Sequence, residues 1–195
     1  MSESATITPL FPTVVYHKDN SNLITKEIKE LSKNLCHQYG KHAFITKCLT
    51  TVNTLDTILD LPEFLDIRNY AIQGISDYIR FMNFDSTKTY KLNGSWLNYY
   101  KPGYLQEPHI HHDSMISGIL YITGSNQKDL YFKNPNLNNQ PSLPFVEKRT
   151  EYNEMDYSYE SIDGRMIIFM SGSMHGTLPV DCERISLAFN VICDK

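Results

Sequence analysis

The chain is predicted to form one mainly β domain, a sandwich or barrel of antiparallel strands with helices before it. Its 195 residues fit a single domain of ordinary size with a sizeable core. The first part of the chain shows helical periodicity. From residue 89 onward, short segments rich in β-branched and aromatic residues alternate with Gly, Pro, Asn and Asp. We therefore expect an N-terminal region over 1–88, containing a strand and helices, and a β core over 89–195.

Two helices are predicted in the N-terminal region, over residues 22–38 and 61–82, because apolar residues recur there three or four positions apart. Gly40 is a predicted stop for the first helix, and Asp60 and Pro62 are predicted start signals for the second. The apolar positions are Ile24, Ile28, Leu31 and Leu35 in the first stripe, and Phe64, Ala71, Ile75, Tyr78, Ile79 and Met82 in the second. Each stripe is predicted to face the core.

Five strand segments are predicted in the second half of the chain. They are TYKLNGSWLNYYK (89–101), MISGILYITG (115–124), KDLYFKNP (128–135), GRMIIFMSGS (164–173) and ERISLAFNVI (183–192). The proline-, asparagine- and tyrosine-rich stretch 134–162 interrupts this pattern. Long insertions of this kind serve as functional lids or as surface decorations, and the sequence leaves both interpretations open.

Composition excludes several classes of protein. With 18 basic against 22 acidic residues, no basic face dominates, so a nucleic-acid partner is not expected. The four cysteines lack metal-cluster spacing and are interpreted as unreactive thiols. The chain shows no signal peptide and no apolar run of membrane-spanning length, which predicts a cytoplasmic protein. A homodimer remains open.

Three histidines within four positions are the strongest chemical signal in the chain. The segment Pro108-His109-Ile110-His111-His112-Asp113 is followed about sixty residues later by His175. On an extended strand, the side chains of His109, His111 and Asp113 would share one face. Two or three such nitrogen and oxygen ligands with open positions suit Fe(II), although a polar strand edge without metal is the simpler alternative. We expect some of them to bind a metal.

His175 and Arg184 extend this candidate site. His175 follows the small residues Ser-Gly-Ser, which would let the chain turn sharply and bring the imidazole inward. Arg184 and Ser186 share a strand face, so a guanidinium and a hydroxyl could bind one carboxylate. The alternative for Arg184 is a surface salt bridge with Glu183 or Asp181.

In their order, these motifs resemble the 2-oxoglutarate- and Fe(II)-dependent oxygenases, and the small members from phages and bacteria in particular. Their pattern is roughly W-x-N, then H-x-H-x-x-S-x-x-S-G-x-x-Y, a distal histidine, and R-x-S-x-x-F-N. The likeness covers about residues 90–192. The matching residues are His109, His111, Ser114, Ser117, Gly118, Tyr121, His175, Arg184, Ser186 and Asn190.

The resemblance implies a cupin-like jelly-roll, a double-stranded β-helix, that uses Fe(II), 2-oxoglutarate and O2. The implied reaction hydroxylates a substrate and releases succinate and CO2. Arg184 and Ser186 would hold the distal carboxylate of 2-oxoglutarate, with Asn98 and Tyr100 lining its pocket. The substrate is left open among small molecules, peptides and protein side chains.

The metal site departs from the usual superfamily pattern of His-x-Asp/Glu with a distal histidine. The smaller family's H-x-H pattern favours His109, His111 and His175, whereas a literal His-x-Asp at positions 111–113 makes Asp113 an alternative carboxylate ligand. If Asp113 is not a ligand, it could orient an imidazole. Two rival functions remain: a cupin-like metalloenzyme that does not use 2-oxoglutarate, and a non-catalytic jelly-roll for binding or assembly.

Overall fold

The computed structural model describes residues 6–8, 10–42, 48–138, 145–150 and 152–194. Its helices are α1 (Lys26–Tyr39), α2 (Leu65–Phe81) and the short α3 (Pro135–Asn138). The strands are β1 (Val15–Asp19), β2 (Lys41–His42), β3 (Leu49–Thr50), β4 (Tyr90–Tyr100), β5 (Gln106–His109), β6 (Ile116–Thr123), β7 (Lys128–Lys133), β8 (Asp156–Glu160), β9 (Arg165–Met170), β10 (His175–Thr177) and β11 (Arg184–Cys193).

Both predicted N-terminal helices form, but Asp60 does not cap the second one. Asp60 lies in a 3-10 turn over Ile58–Asp60, and Phe64 is the N-cap of α2, without a side-chain hydrogen bond. Thr25 caps α1, its side chain accepting a hydrogen bond from the backbone N–H of Ile28. The helix ends at Gly40, where a Cβ would lie only 2.2 Å from the carbonyl oxygen of Cys36. Pro62 opens a 3-10 turn over Pro62–Phe64, and α2 begins directly after it. The predicted start is thus displaced by a few residues.

The strands form two antiparallel sheets, as in a jelly-roll. The larger sheet has the order β1-β9-β6-β11-β4-β3-β2, and the smaller has the order β5-β10-β7-β8. All five strands predicted from the second half of the chain are present, and β11 lies between β4 and β6 near the centre of the larger sheet. The predicted fold class, mainly β with N-terminal helices, is confirmed.

Two apolar clusters stabilise this architecture. The larger lies between the helices and the larger sheet, where Phe64, Ile67 and Tyr78 pack with Leu97 and Leu187. Apolar area removed from water contributes roughly 25 cal/mol per Å², so this layer is the main source of stability. A smaller cluster of Tyr121, Leu130, Phe132, Ile167 and Phe169 fills part of the space between the sheets.

The stretch 134–162 is only partly the irregular insertion that the sequence predicted. Asp156–Glu160 forms β8, which pairs with β7 and completes the smaller sheet. Pro135–Asn138 forms α3. Residues 139–144 and 151 lie outside the described part of the chain. Strand β8 escaped prediction because DYSYE lacks a β-branched apolar residue, and tertiary pairing rather than local preference determines it.

The remaining features agree with the composition. Within the described residues the four cysteines form no disulfide bond, and Cys36 and Cys48 are buried. Burial raises the pKa of Cys36 to about 12, which keeps this thiol protonated and unreactive at neutral pH. Within the described residues, no helix combines the length and apolar character needed to cross a membrane.

Candidate functional site

Three of the predicted histidines converge between the two sheets. His109 ends β5 and faces His175 of β10 across an antiparallel pair, with 4.4 Å between their ring centroids. His111 follows β5, and its ring centroid lies 5.1 Å from that of His109 and 5.3 Å from that of His175. One ligand nitrogen from each residue lies within 4.8 Å of the others. Three imidazoles at this separation could bind one metal ion.

Backbone hydrogen bonds orient two of the rings for such a role. The Nδ1 atom of His109 lies 2.9 Å from the carbonyl oxygen of Glu107, and that of His175 lies 2.9 Å from the carbonyl oxygen of Ser173. Because a carbonyl oxygen only accepts, Nδ1 carries the proton in both rings. In a neutral imidazole, Nε2 then keeps its lone pair for a metal.

The surroundings keep these imidazoles neutral. Burial, with repulsion from His109 as the next cause, lowers the pKa of His175 to about 3. The same two causes lower the pKa of His111 to about 4, and burial lowers the pKa of His109. The ring of Phe169 packs edge-to-face with the ring of His175 at a centroid distance of 4.6 Å. Neutral rings at pH 7 are the form that binds metal.

Asp113 does not join the three histidines. The prediction that His109, His111 and Asp113 share one strand face is wrong, since β5 ends at His109 and residues 112–113 form a turn. Asp113 is exposed and does not line the cavity described below. The carboxylates of the described chain add no member to the histidine group. Backbone carbonyls, rather than Asp113, orient His109 and His175.

The predicted turn before His175 forms, closed by a hydrogen bond from the backbone N–H of Ser173 to the carbonyl of Met170 at 2.8 Å, and it brings the imidazole inward, although it does not require a glycine. Gly172 does not adopt a left-handed conformation, and a Cβ at this position would meet no atom within 4 Å. The contribution of the turn lies in its serines instead. The carbonyl of Ser173 orients His175, and that of Ser171 accepts a hydrogen bond from the backbone N–H of His111 at 3.0 Å.

A polar network explains several residues of the sequence motif. The hydroxyl of Ser117 on β6 donates to Asn190 Oδ1 on β11 at 2.8 Å and lies 2.8 Å from the hydroxyl of Ser171. These contacts connect β6 and β11 to the segment whose carbonyl holds His111. Gly118 has a steric role, because a Cβ there would lie 2.1 Å from the ring of Phe189.

A cavity of about 240 Å³ joins the histidines to the predicted carboxylate site. The pairing register accounts for its walls. Arg184 lies opposite Tyr100, and Ser186 lies opposite Asn98 on β4 and Tyr121 on β6. All five side chains line the same cavity as the three histidines. The prediction that Arg184 and Ser186 share a face is therefore confirmed.

The partner of Arg184 is a residue that the sequence analysis missed. Its Nη1 atom lies 2.6 Å from Asp129 Oδ2, and the two side chains are 0% and 1% exposed. Nη2 donates to Thr177 Oγ1 at 2.9 Å, and the guanidinium lies 4.1 Å from the ring centroid of Tyr100. The alternative interpretation, in which Arg184 forms a surface salt bridge with Glu183 or Asp181, is therefore wrong.

Glu183 and Asp181 pair elsewhere. Glu183 lies 2.6 Å from Lys33, and Asp181 accepts a hydrogen bond from Gln127 at 2.9 Å. No local sequence pattern connects Asp129 with Arg184, because they lie 55 positions apart on β7 and β11. The available signal was a lone carboxylate directly before the apolar run Leu130-Tyr131-Phe132 of β7.

The polar atoms of this cavity fit a metal and an acidic ligand. Three neutral imidazole nitrogens suit a divalent metal such as Fe(II). The hydroxyl of Tyr121 and the Nε of Arg184 are buried and lack hydrogen-bond partners among the described residues. Since unpaired buried donors are costly, a carboxylate ligand that accepts from both would remove this cost. Tyr121 was part of the motif but was not among the predicted binding residues.

Comparisons with known proteins agree with this geometry. Residues 94–190 match the family described as "Putative 2OG-Fe(II) oxygenase". No curated protein matches the sequence. Among solved structures, a Pseudomonas putida prolyl-4-hydroxylase is similar, with 15% identity, a TM-score of 0.65 and 92% of each chain covered.

Two further structures share the fold. A prolyl hydroxylase from Trichoplax adhaerens, in complex with a hypoxia inducible factor peptide fragment, has 13% identity and a TM-score of 0.61, covering 91% of this chain and 83% of that one. HygX from Streptomyces hygroscopicus, with nickel and 2-oxoglutarate bound, has 10% identity and a TM-score of 0.60, covering 92% and 82%.

These structural likenesses are distant and concern the fold, whereas the family match covers the motif residues themselves. It spans the segment from Gly94 to Asn190, which includes all three histidines and Arg184. Fe(II) and 2-oxoglutarate are the metal and co-substrate of this family, and the donor set of the cavity fits both. Through residues 94–190, the chain belongs to the 2OG-Fe(II) oxygenases.

Proposed function

We propose that this protein is an Fe(II)- and 2-oxoglutarate-dependent dioxygenase that hydroxylates its substrate and releases succinate and CO2. One observation carries the proposal: three neutral, converging histidines and a buried arginine line the same cavity. A metal alone would need only the histidines. The arginine adds the group that an acidic co-substrate requires.

His109, His111 and His175 are the proposed ligands of Fe(II). Their nitrogens lie close enough together for one ion, and the carbonyls of Glu107 and Ser173 fix two of the rings with Nε2 unprotonated. Such hydrogen bonds set ring orientation and raise ligand basicity at metal sites. Three protein ligands leave open positions for a bidentate co-substrate and O2.

Arg184 and Ser186 are proposed to hold the distal carboxylate of 2-oxoglutarate, with Asn98 and Tyr100 lining the pocket. The planar guanidinium suits a carboxylate, and stacking on Tyr100 holds its plane. The hydroxyl of Tyr121 is a further donor for the same carboxylate, since Tyr121 lines the cavity and its hydroxyl has no hydrogen-bond partner in the described part of the chain.

When bound, the metal and 2-oxoglutarate would supply, together with O2, the oxidising power for hydroxylation. The chain contributes position and exclusion of water. Phe169 and Phe132 enclose His175 on its apolar side, with ring centroids at 4.6 and 5.9 Å. The ring of Trp96 lies 6.0 Å from that of His111.

Metal analysis combined with a succinate-release assay tests this proposal. The purified protein should retain about one iron per chain when loaded anaerobically. It should release succinate from 2-oxoglutarate, with faster turnover when a true substrate is present among small molecules and peptides. The variant His175→Ala is the matched control and should do neither. Iron retention without 2-oxoglutarate binding would favour the cupin-like alternative, and loss of both would favour a binding or assembly role.

A further inference from the structure

The ion pair between Asp129 and Arg184 lies directly behind the proposed co-substrate pocket. Arg184 lines the cavity, whereas Asp129 is not among the described residues that line it. The carboxylate therefore contacts the guanidinium from the side away from the ligand. A buried arginine needs such a partner, because an uncompensated charge in the interior is strongly unfavourable.

Asp129 is itself held in place by two hydroxyls. Ser125, in the turn between β6 and β7, and Ser161, directly after β8, each donate to Asp129 Oδ2 at 2.7 Å. Both serines are buried, and neither lines the cavity. The same oxygen lies 2.6 Å from Nη1 of Arg184. Oδ2 therefore has three contacts that hold it in place, whereas Oδ1 has no hydrogen-bond partner among the described residues.

The guanidinium is thereby fixed on three sides. Asp129 Oδ2 forms an ion pair with Nη1 at 2.6 Å, Nη2 donates to Thr177 Oγ1 at 2.9 Å, and the ring of Tyr100 lies against the guanidinium face at 4.1 Å. Among the described residues, neither Nε nor Nη1 has a partner with hydrogen-bond geometry, so Asp129 acts on Nη1 through its charge. Fixing a binding group before the ligand arrives lowers the entropy that binding must overcome.

We propose that Asp129 is a positioning residue, which together with Ser125 and Ser161 holds Arg184 in the orientation that binds the acidic co-substrate. The inference rests on the proposed function. It extends the site to three residues that do not contact the ligand and that the family motif does not include.

The direction in which one substitution changes 2-oxoglutarate affinity distinguishes this positioning role from simple charge neutralisation. Asp129→Asn keeps the size and the acceptor oxygen but removes the charge. If Asp129 only neutralised Arg184, its removal would strengthen the binding of a carboxylate. If Asp129 positions Arg184, 2-oxoglutarate binding should weaken by roughly tenfold, the lower end of what supporting residues contribute at metal sites.

Ser161→Ala provides a second variant that keeps the ion pair and should fold even if Asp129→Asn does not. Removing one of the two hydroxyls should weaken 2-oxoglutarate binding by roughly two- to fivefold, because a single neutral hydrogen bond contributes little. Ser32→Ala is the matched control. Ser32 is also fully buried, but it lies on α1 away from the cavity, and its variant should bind as the parent does.

The measurement is anaerobic titration of 2-oxoglutarate into the Fe(II)-loaded protein, followed by the absorbance of the complex. Weaker binding by Asp129→Asn and Ser161→Ala, with Ser32→Ala unchanged, supports the proposal. If Asp129→Asn binds 2-oxoglutarate as tightly as the parent or more tightly, the proposal is overturned. If that variant does not fold, the same result for Ser161→Ala overturns the proposal.

A readout without co-substrate distinguishes failure of this proposal from failure of the proposed function. The Nε–H signal of Arg184 in nitrogen-15 NMR spectra, assigned by its loss in Arg184→Lys, should exchange slowly with water in the parent. It should exchange faster in Ser161→Ala. If the parent binds no 2-oxoglutarate, the proposed function fails, and the exchange rates still decide whether the hydroxyls fix the guanidinium. Equal exchange rates would overturn the positioning role.

Discussion

The two faces of strand β11 differ sharply in chemistry. Ile185 and Leu187 face the helices and belong to the apolar cluster there, while Arg184 and Ser186 face the space between the sheets and line the cavity. Both sets are buried. The comparison shows that burial alone does not distinguish core from site. Polar side chains buried on one face mark the side of the strand that was built for a ligand.

The largest expected effect comes from removing a proposed metal ligand on the polar side. His175→Ala should abolish Fe(II) binding, because only two imidazole ligands remain. His175 is also the most buried of the three histidines. Its circular dichroism spectrum should match that of the parent. Equilibrium dialysis with Fe(II) under anaerobic conditions measures the change.

His112→Ala is the matched control, since His112 is exposed and adjacent to the site. This variant should bind Fe(II) as the parent does. Asp113→Ala should also retain binding. A loss in Asp113→Ala as large as that in His109→Ala would restore the carboxylate alternative and contradict the three-histidine site.

Neighbouring substitutions on β11 should separate stability from binding. Leu187→Ala removes a fully buried side chain on the helix side and should lower the free energy of unfolding by about 2–5 kcal/mol. Ser186→Ala should change it by less than about 1 kcal/mol but weaken 2-oxoglutarate binding several-fold. Urea unfolding and ligand titration measure the two effects. A large loss of stability in Ser186→Ala would show that both faces are structural.

Acid should destabilise the metal-free protein through the histidines. In the folded chain the pKa of His175 is lowered to about 3, while the unfolded value is about 6.5. The unfolded state therefore binds protons first, so stability is complete above pH 6.5 and is lost as the pH falls toward the folded value. Between pH 6.5 and 5 this histidine should account for about 2 kcal/mol.

Urea unfolding in the presence of a chelator measures this dependence. His175→Ala should show a shallower decrease of stability between pH 6.5 and 5, because one source of proton uptake is removed. A pH dependence identical to that of the parent would mean that His175 is not neutral in the folded protein.

The smallest expected effect concerns the stretch 134–162, which the sequence leaves open as a lid or a surface decoration. Lys148 and Arg149 are exposed, whereas Arg165 on β9 binds Asp19 in a bidentate ion pair. Trypsin should therefore cut first at 148–149 and spare Arg165. Fe(II), 2-oxoglutarate and a true substrate together should slow this cleavage if the segment closes over the site. Equal rates with and without them would make it a surface decoration.

How far the sequence predicts this molecule depends on the range of the interactions. Helices α1 and α2 and the five long strands have clear periodicity, so their existence could be predicted. Strands β5 and β10 have four and three residues and are determined by pairing with each other. The sequence therefore predicted an extended strand through Asp113, whereas β5 ends at His109, and Asp113 was placed wrongly for this reason.

The site was predictable where a motif carried it and not where it depended on distant partners. His109, His111, His175, Arg184 and Ser186 were identified from their order and spacing, and the structure brings all five to one cavity. Asp129 could not be found this way. Its pairing with Arg184 depends on how two sheets meet, which no local pattern encodes. Its serine partners were missed for the same reason.

The most direct test of the central claim, that the three histidines and Arg184 form one site, is the 2-oxoglutarate affinity of Arg184 variants in the anaerobic Fe(II) protein. Arg184→Lys keeps a positive charge beside Asp129 but loses the planar fork, so it should fold, bind Fe(II) normally and bind 2-oxoglutarate more weakly. Arg184→Ala should weaken 2-oxoglutarate binding by roughly 30-fold or more, because removing the guanidinium should cost about 2–5 kcal/mol of binding free energy. Parent and variants with equal affinity would contradict the claim and remove Arg184 from the co-substrate site.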